Sequence, residues 1–120
     1  MDTFRVEGDS FFVGEVEYPH TMVVSKDLDC GKLGLVRERQ AFIECAAGDY
    51  AVSVIWGTNA YSVNHAVHGD DFTETPTAVE VGVVSRHGVL QNWWGDNVDP
   101  VKGYQTPDQV NRLIEEVNNA

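Results

Sequence analysis

Basic side chains are scarce in this chain: eight lysines and arginines stand against nineteen aspartates and glutamates, a net charge of −11 over 120 residues. That shortage argues against binding nucleic acid or an anionic membrane directly, because a field of this sign repels both. Cysteine is sparse too. Cys30 and Cys45 make no Cys-x-x-Cys pair and no disulfide framework, so two free thiols in a reducing compartment are expected. No apolar run approaches the roughly 20 residues that a membrane helix needs. The chain starts Met1-Asp2 with further acids behind it, the reverse of a secretory leader's basic start. A soluble, cytoplasmic protein is the expectation.

Catalytic signatures are also missing. There is no Gly-x-Gly-x-x-Gly, no His-Glu-x-x-His and no Gly-x-Ser-x-Gly. Gly31-Lys32-Leu33-Gly34 lacks both the spacing and the following Ser or Thr of a phosphate-binding loop. Asp96-Asn97-Val98-Asp99 offers too few regularly spaced oxygens for a calcium loop.

What remains is a chain rich enough in apolar residues to fold. A hydrophobic fraction of 42% excludes a disordered chain. At this length one domain spanning residues 1–120 is expected, burying about two thirds of its unfolded surface without a metal or disulfide. The charge is unevenly spread. Residues 1–25 hold five acids against Arg5, residues 26–39 hold four bases against three acids, and residues 40–120 hold eleven acids against Arg86, Lys102 and Arg112.

Strand patterns dominate. Phe11 to Tyr18 reads as a strand with Phe12, Val16 and Tyr18 on one face and Glu15 and Glu17 on the other. Thr21 to Val24 continues it beyond Pro19, and residues 26–34 read as a loop. Period-two alternation over Tyr50–Trp56 and again over Tyr61–Val67, with Gly57-Thr58-Asn59 between them, predicts a hairpin over 50–67. A second hairpin is predicted from Val79–Val83 through Arg86-His87-Gly88 to Val89–Trp94.

Two readings compete over 35–47. Helical winding gathers Leu35, Val36, Phe42, Ile43, Ala46 and Ala47 on one arc, with Gly48 as a cap. The alternative is a strand from Ala41 to Ala47, and the helix is preferred.

The C-terminal helix announces its own start. Thr106 is the cap, Pro107 the first helical residue, and Gln109 completes a capping box. Val110, Leu113, Ile114 and Val117 then form an apolar stripe that needs a platform. The fold class that follows is α+β: a mostly antiparallel sheet with the C-terminal helix packed on one face, and a second helix at about 35–47.

Three clusters carry candidate chemistry. His65 and His68, followed by Asp70-Asp71, could hold a metal only if the chain bends, since residues three apart on a strand face opposite ways. Cys30 beside Lys32 could be a nucleophile, but Asp27 and Asp29 oppose thiolate formation and no base is positioned by the sequence. No metal, cofactor or catalytic residue is therefore expected. Trp93-Trp94 carries more weight, because tryptophan supplies large contact area with few rotatable bonds. An exposed Trp94 flanked by Asp96 and Asp99 would suit a basic partner; the bland alternative is that it covers a sheet edge or packs under the C-terminal helix.

The expected function is a small acidic, non-enzymatic binding domain. By size and charge it falls in the range of bacterial toxin-immunity proteins and viral inhibitors of host defence, an analogy of class only. Its partner would be a protein with a basic surface, contacted through Asp70, Asp71, Glu74, Trp94, Asp96 and Asp99, and its nucleic-acid site would be blocked. The alternatives are a metal- or thiol-dependent enzyme using His65, His68 or Cys30, and a structural or assembly subunit.

Overall fold

A computed structural model describes residues 3–29, 35–57 and 75–120. The chain forms two antiparallel sheets and one C-terminal helix, an α+β architecture. Strands β1 (Phe4–Glu7), β2 (Ser10–Val13) and β3 (Val16–Tyr18) make a three-stranded meander. Its two loops are Gly8-Asp9 and Gly14-Glu15, with glycine at φ 61° and 62° in the first position. Glycine reaches that conformation without a Cβ penalty, and a Gly-first two-residue loop matches the right-handed twist of the strands it joins.

The second sheet is five-stranded, in chain order: β4 (Met22–Asp29), β5 (Leu35–Cys45), β6 (Tyr50–Gly57), β7 (Val79–Ser85) and β8 (Val101–Gln105). Its inner face carries register rows Ile43–Val52–Val83 and Ala41–Val54–Val81, all buried. Helix α1 (Pro107–Asn118) lies against β5 and β6 and meets β2. Val110, Leu113, Ile114 and Val117 are buried, and Thr106 and Gln109 form the reciprocal capping box. The meander closes the rest of the inner face: Phe11 stacks on Trp56 at 5.5 Å between centroids, and Phe4 stacks behind Phe11 at 6.2 Å. Both sheets and the helix thus share one core.

Side-chain hydrogen bonds fasten the seams. The Tyr18 hydroxyl donates to Asn111 Oδ1 at 2.6 Å, and Asn111 Nδ2 donates to the Val13 carbonyl at 3.0 Å, tying the meander to α1. At the other end of the helix the Ala46 amide donates to Asn118 Oδ1 at 2.8 Å. None of the described helices is long and apolar enough to cross a membrane.

The second helix expected over 35–47 is a strand. Leu35–Cys45 pairs with β4 along one edge and β6 along the other, which buries Ala41, Ile43 and Cys45 and turns Phe42 and Glu44 to the opposite face. Backbone pairing on both edges outweighs a weak local preference. Gly48 ends no α-helix; with Ala46 and Ala47 it makes one short left-handed turn of 3-10 type between β5 and β6, φ 95°, 52° and 55°.

Other expectations shift as well. The strand read over 11–18 folds back at Gly14, and Phe12 points away from the core, with the Arg5 guanidinium 4.2 Å over its ring. Residues 26–29, read as loop, continue β4. β5 and β7 pair with the two edges of β6 over Tyr50–Ile55, and Tyr61–Val67, the return strand expected for the hairpin over 50–67, lies outside the described residues. The return of the second hairpin shrinks to one bridge, Val84 to Leu90, because β8 pairs with β7 over Val79–Gly82.

Candidate functional site

The aromatic site expected at Trp94 is built differently from an exposed anchor. Trp93 is half-buried, edge-on to Tyr50 at 5.7 Å, and Trp94 packs against the core cluster. The outer ring face of Trp94 is capped by Lys102, whose Nζ stands 4.7 Å from the ring centroid. Trp94, Lys102, Gln109 and Arg112 border a shallow recess of about 190 Å3 beside α1. A cation–π contact of this kind stabilises the pair by about 0.5–1 kcal/mol at an exposed site. It also leaves the indole beside two positive side chains.

Asp96 and Asp99 are exposed on the tight turns that follow. Asp99 Oδ1 accepts the Val101 amide at 3.0 Å, so this carboxylate shapes the entry to β8 while facing solvent. Asp70, Asp71 and Glu74, like Cys30, His65 and His68, lie outside the described residues. Three of the six expected contact residues therefore stand together around 94–99, and their relation to the other three is not described.

Most of the described carboxylates face solvent. Glu7, Asp9, Glu15 and Glu17 are all exposed on the meander, and Asp108, Glu115 and Glu116 on the outside of α1. Arg5 Nε pairs with Glu7 Oε1 at 3.1 Å, and His20 Nδ1 lies 2.8 Å from Asp9 Oδ2. Solvent-exposed pairs of this kind contribute about 0–1 kcal/mol.

A larger concavity went unseen in the sequence. A cleft of about 760 Å3 opens at one end of the outer face of the five-stranded sheet. Phe42, Ala51 and Val84 form its floor, with the Pro19–Thr21 segment on one side and the Ser85–Gly88 turn on the other. Both walls are held by their own hydrogen bonds. Thr21 Oγ1 donates to the Tyr18 carbonyl at 2.8 Å, and Ser85 Oγ accepts the His87 and Val89 amides at 3.3 Å each. The Arg86 amide donates to the Asp49 carbonyl at 3.0 Å. His20, with φ 57°, stands at the mouth, and Glu44 and Arg86 complete the polar lining. Its members come from several strands and turns, so no local spacing could have pointed to it.

Neither Cys45 nor Tyr18, the two groups whose titration is shifted by burial, gives the site a reactive atom. Burial pushes the Cys45 thiol up, and the nearby Glu44 carboxylate adds to this against the hydrogen bond of the Val52 backbone, so Cys45 stays a protonated core residue. Burial, with smaller contributions from Cys45 and Glu115, pushes Tyr18 up to about 12. The Ser85 hydroxyl is engaged in holding its turn. Among the described residues no three His, Cys, Asp or Glu side chains converge as metal ligands would.

No known protein family, curated protein or solved structure matches this chain.

Proposed function

We propose that this chain is a small, acidic, non-enzymatic protein-binding domain that engages a basic surface of a partner protein. In its finer form the reading is an inhibitor of the toxin-immunity or viral anti-defence type, acting in the cytoplasm and covering a partner's nucleic-acid site. The observation that carries it is the disposition of charge. The chain carries a net −11, and among the described residues no Asp or Glu is buried, while the core is held by apolar packing and neutral hydrogen bonds. Charge not spent on the scaffold is free to steer a cationic macromolecule and to repel nucleic acid and anionic lipid.

The test is capture of partners from the native host at two ionic strengths, using the natural chain and a variant carrying D70N, D71N, E74Q, D96N and D99N. Asparagine at 99 retains the oxygen that accepts the Val101 amide. A partner with a basic patch, retained by the natural chain, lost by the variant, and associating more slowly as salt rises, supports the reading. Equal capture by both chains with salt-independent association rates rejects it.

A further inference from the structure

The cleft at the end of the five-stranded sheet differs in charge from the rest of the molecule. Its described lining holds one carboxylate, Glu44, and one guanidinium, Arg86, and their charges cancel. His20 at the mouth is already engaged, its Nδ1 standing 2.8 Å from Asp9 Oδ2. On a chain of net −11 such a locus is poorly placed to steer a cationic partner. It suits a ligand that is itself neutral overall.

Glu44 and Arg86 are both rooted beside the turn that joins β5 to β6. The Glu44 carboxylate lies against Gly48, where a Cβ would come 3.0 Å from Oε1, and the glycine stands at φ 95°. The Arg86 amide donates to the Asp49 carbonyl at 3.0 Å, which ties the base of the guanidinium arm to the same turn. Even so, the two side chains do not pair with each other, and among the described residues neither has another ion-pair partner. Both remain able to make charge-assisted hydrogen bonds to a ligand.

The dimensions narrow the class of ligand. Glu44, Ala51 and Val84 form one register row, so the first and last are two strand spacings, about 10 Å, apart. Arg86 follows two residues beyond Val84. An extended two-residue peptide separates its terminal ammonium and carboxylate by about 7 Å. A hydrogen bond of about 3 Å at each end lets it reach between two such anchors. Between them the floor of Phe42, Ala51 and Val84 is apolar, with the smallest side chain in the middle. Sites for small molecules measure about 300–1,000 Å3 and combine apolar walls with a few polar groups. At about 760 Å3 this cleft has that size and make-up.

We propose that the cleft binds a short zwitterionic peptide of about two apolar residues. Its ammonium sits on Glu44, its carboxylate on Arg86, and its side chains on Phe42, Ala51 and Val84. The site goes beyond the acidic-binder reading, and neither depends on the other.

Leucyl-phenylalanine, its N-acetyl derivative and its C-terminal amide are titrated separately into the full isotope-labelled chain while amide resonances are followed. The expected result is saturable binding of the free dipeptide, with shifts gathered on residues 18–22, 42–51 and 84–88. Each capped form should bind roughly tenfold more weakly, having lost one charged contact. Glu44→Gln should weaken the free dipeptide by a similar factor and leave the N-acetyl form unchanged. Arg86→Gln should do the same and leave the amide form unchanged. Both positions are exposed, so the spectra of the variants should match the natural chain away from the substitution. Equal binding of free and capped forms, shifts outside the cleft, or no binding at about 10 mM overturns the proposal. Variants that weaken all three ligands alike would also overturn it, because the two charges would then be shaping the cleft and not contacting the termini.

Discussion

The two faces of the five-stranded sheet are made by the same strands, one residue out of step, and they have opposite compositions. The inner face repeats Ala41, Ile43 and Cys45, then Val52, Val54 and Trp56, then Val79, Val81 and Val83, every one buried. The outer face sets Gln40, Phe42 and Glu44 beside Ala51, Ser53 and Ile55 and then Glu80, Gly82 and Val84, with Gln40 Nε2 donating to Ser53 Oγ at 2.8 Å. One face is uniform, apolar and capped by α1 and the meander. The other mixes large, small and charged groups. Stability is concentrated on the first.

The sharpest test sets one residue from each face side by side. Trp56→Ala, inside the aromatic stack with Phe11, should cost about 3–5 kcal/mol in denaturant unfolding. Phe42→Ala, half-exposed on the outer face, should cost about 1–2 kcal/mol, since little cavity is left behind. Equal losses would erase the distinction between the faces.

Asn111→Ala probes the seam that closes the inner face. It strands the half-buried Tyr18 hydroxyl and removes a second donor from the Val13 carbonyl, which still pairs with Val16, so a loss of about 1–2 kcal/mol is expected. Tyr18→Phe in the same background should recover part of it by removing the stranded group, a double-mutant cycle read from unfolding midpoints.

The same seam has a signature in pH. The folded state holds the Tyr18 proton up to about 12, above the ordinary value of 10.0. The stabilisation is fully present below pH 10 and is lost as pH rises toward 12, because the unfolded chain releases that proton first. Stability should fall by on the order of 1–2 kcal/mol over that window. Tyr18→Phe should flatten this part of the profile, measured by urea unfolding at successive pH values.

The smallest effect is a gain. Ala47 occupies φ 55° in the turn between β5 and β6, where a Cβ is disfavoured. Ala47→Gly should raise stability by up to about 1 kcal/mol, offset by the greater freedom of glycine in the unfolded chain. A loss of stability would mean that the turn is held by something other than its backbone.

Legibility in the sequence followed the range of the forces involved. Thr106, Pro107 and Gln109 were readable as a helix start because the capping box is closed within four residues. The α1 stripe and the alternation in β6 and β7 were readable because both report a single burial direction. Leu35–Cys45 misled because Phe42 and Ile43 are adjacent apolar residues serving opposite faces, Ile43 the core and Phe42 the outer face. Phe12 misled for a similar reason, its ring being covered by Arg5 from the next strand rather than by the core. Of the expected contact set, the exposure of Asp96 and Asp99 was legible from their turn context. The cover of Trp94 was not, since Lys102 reaches it only after β8 has joined the sheet.

By itself the sequence determined the sign and size of the charge, the α+β class, and the place and start of α1. These depend on composition or on neighbours within a turn or two of chain. Tertiary structure decided which side of each strand became core, that residues 35–45 joined the sheet, and that a cleft opens at one end of its outer face. Those outcomes depend on contacts between residues far apart in the chain, where pairing of whole strands and burial of whole faces outweigh any local preference.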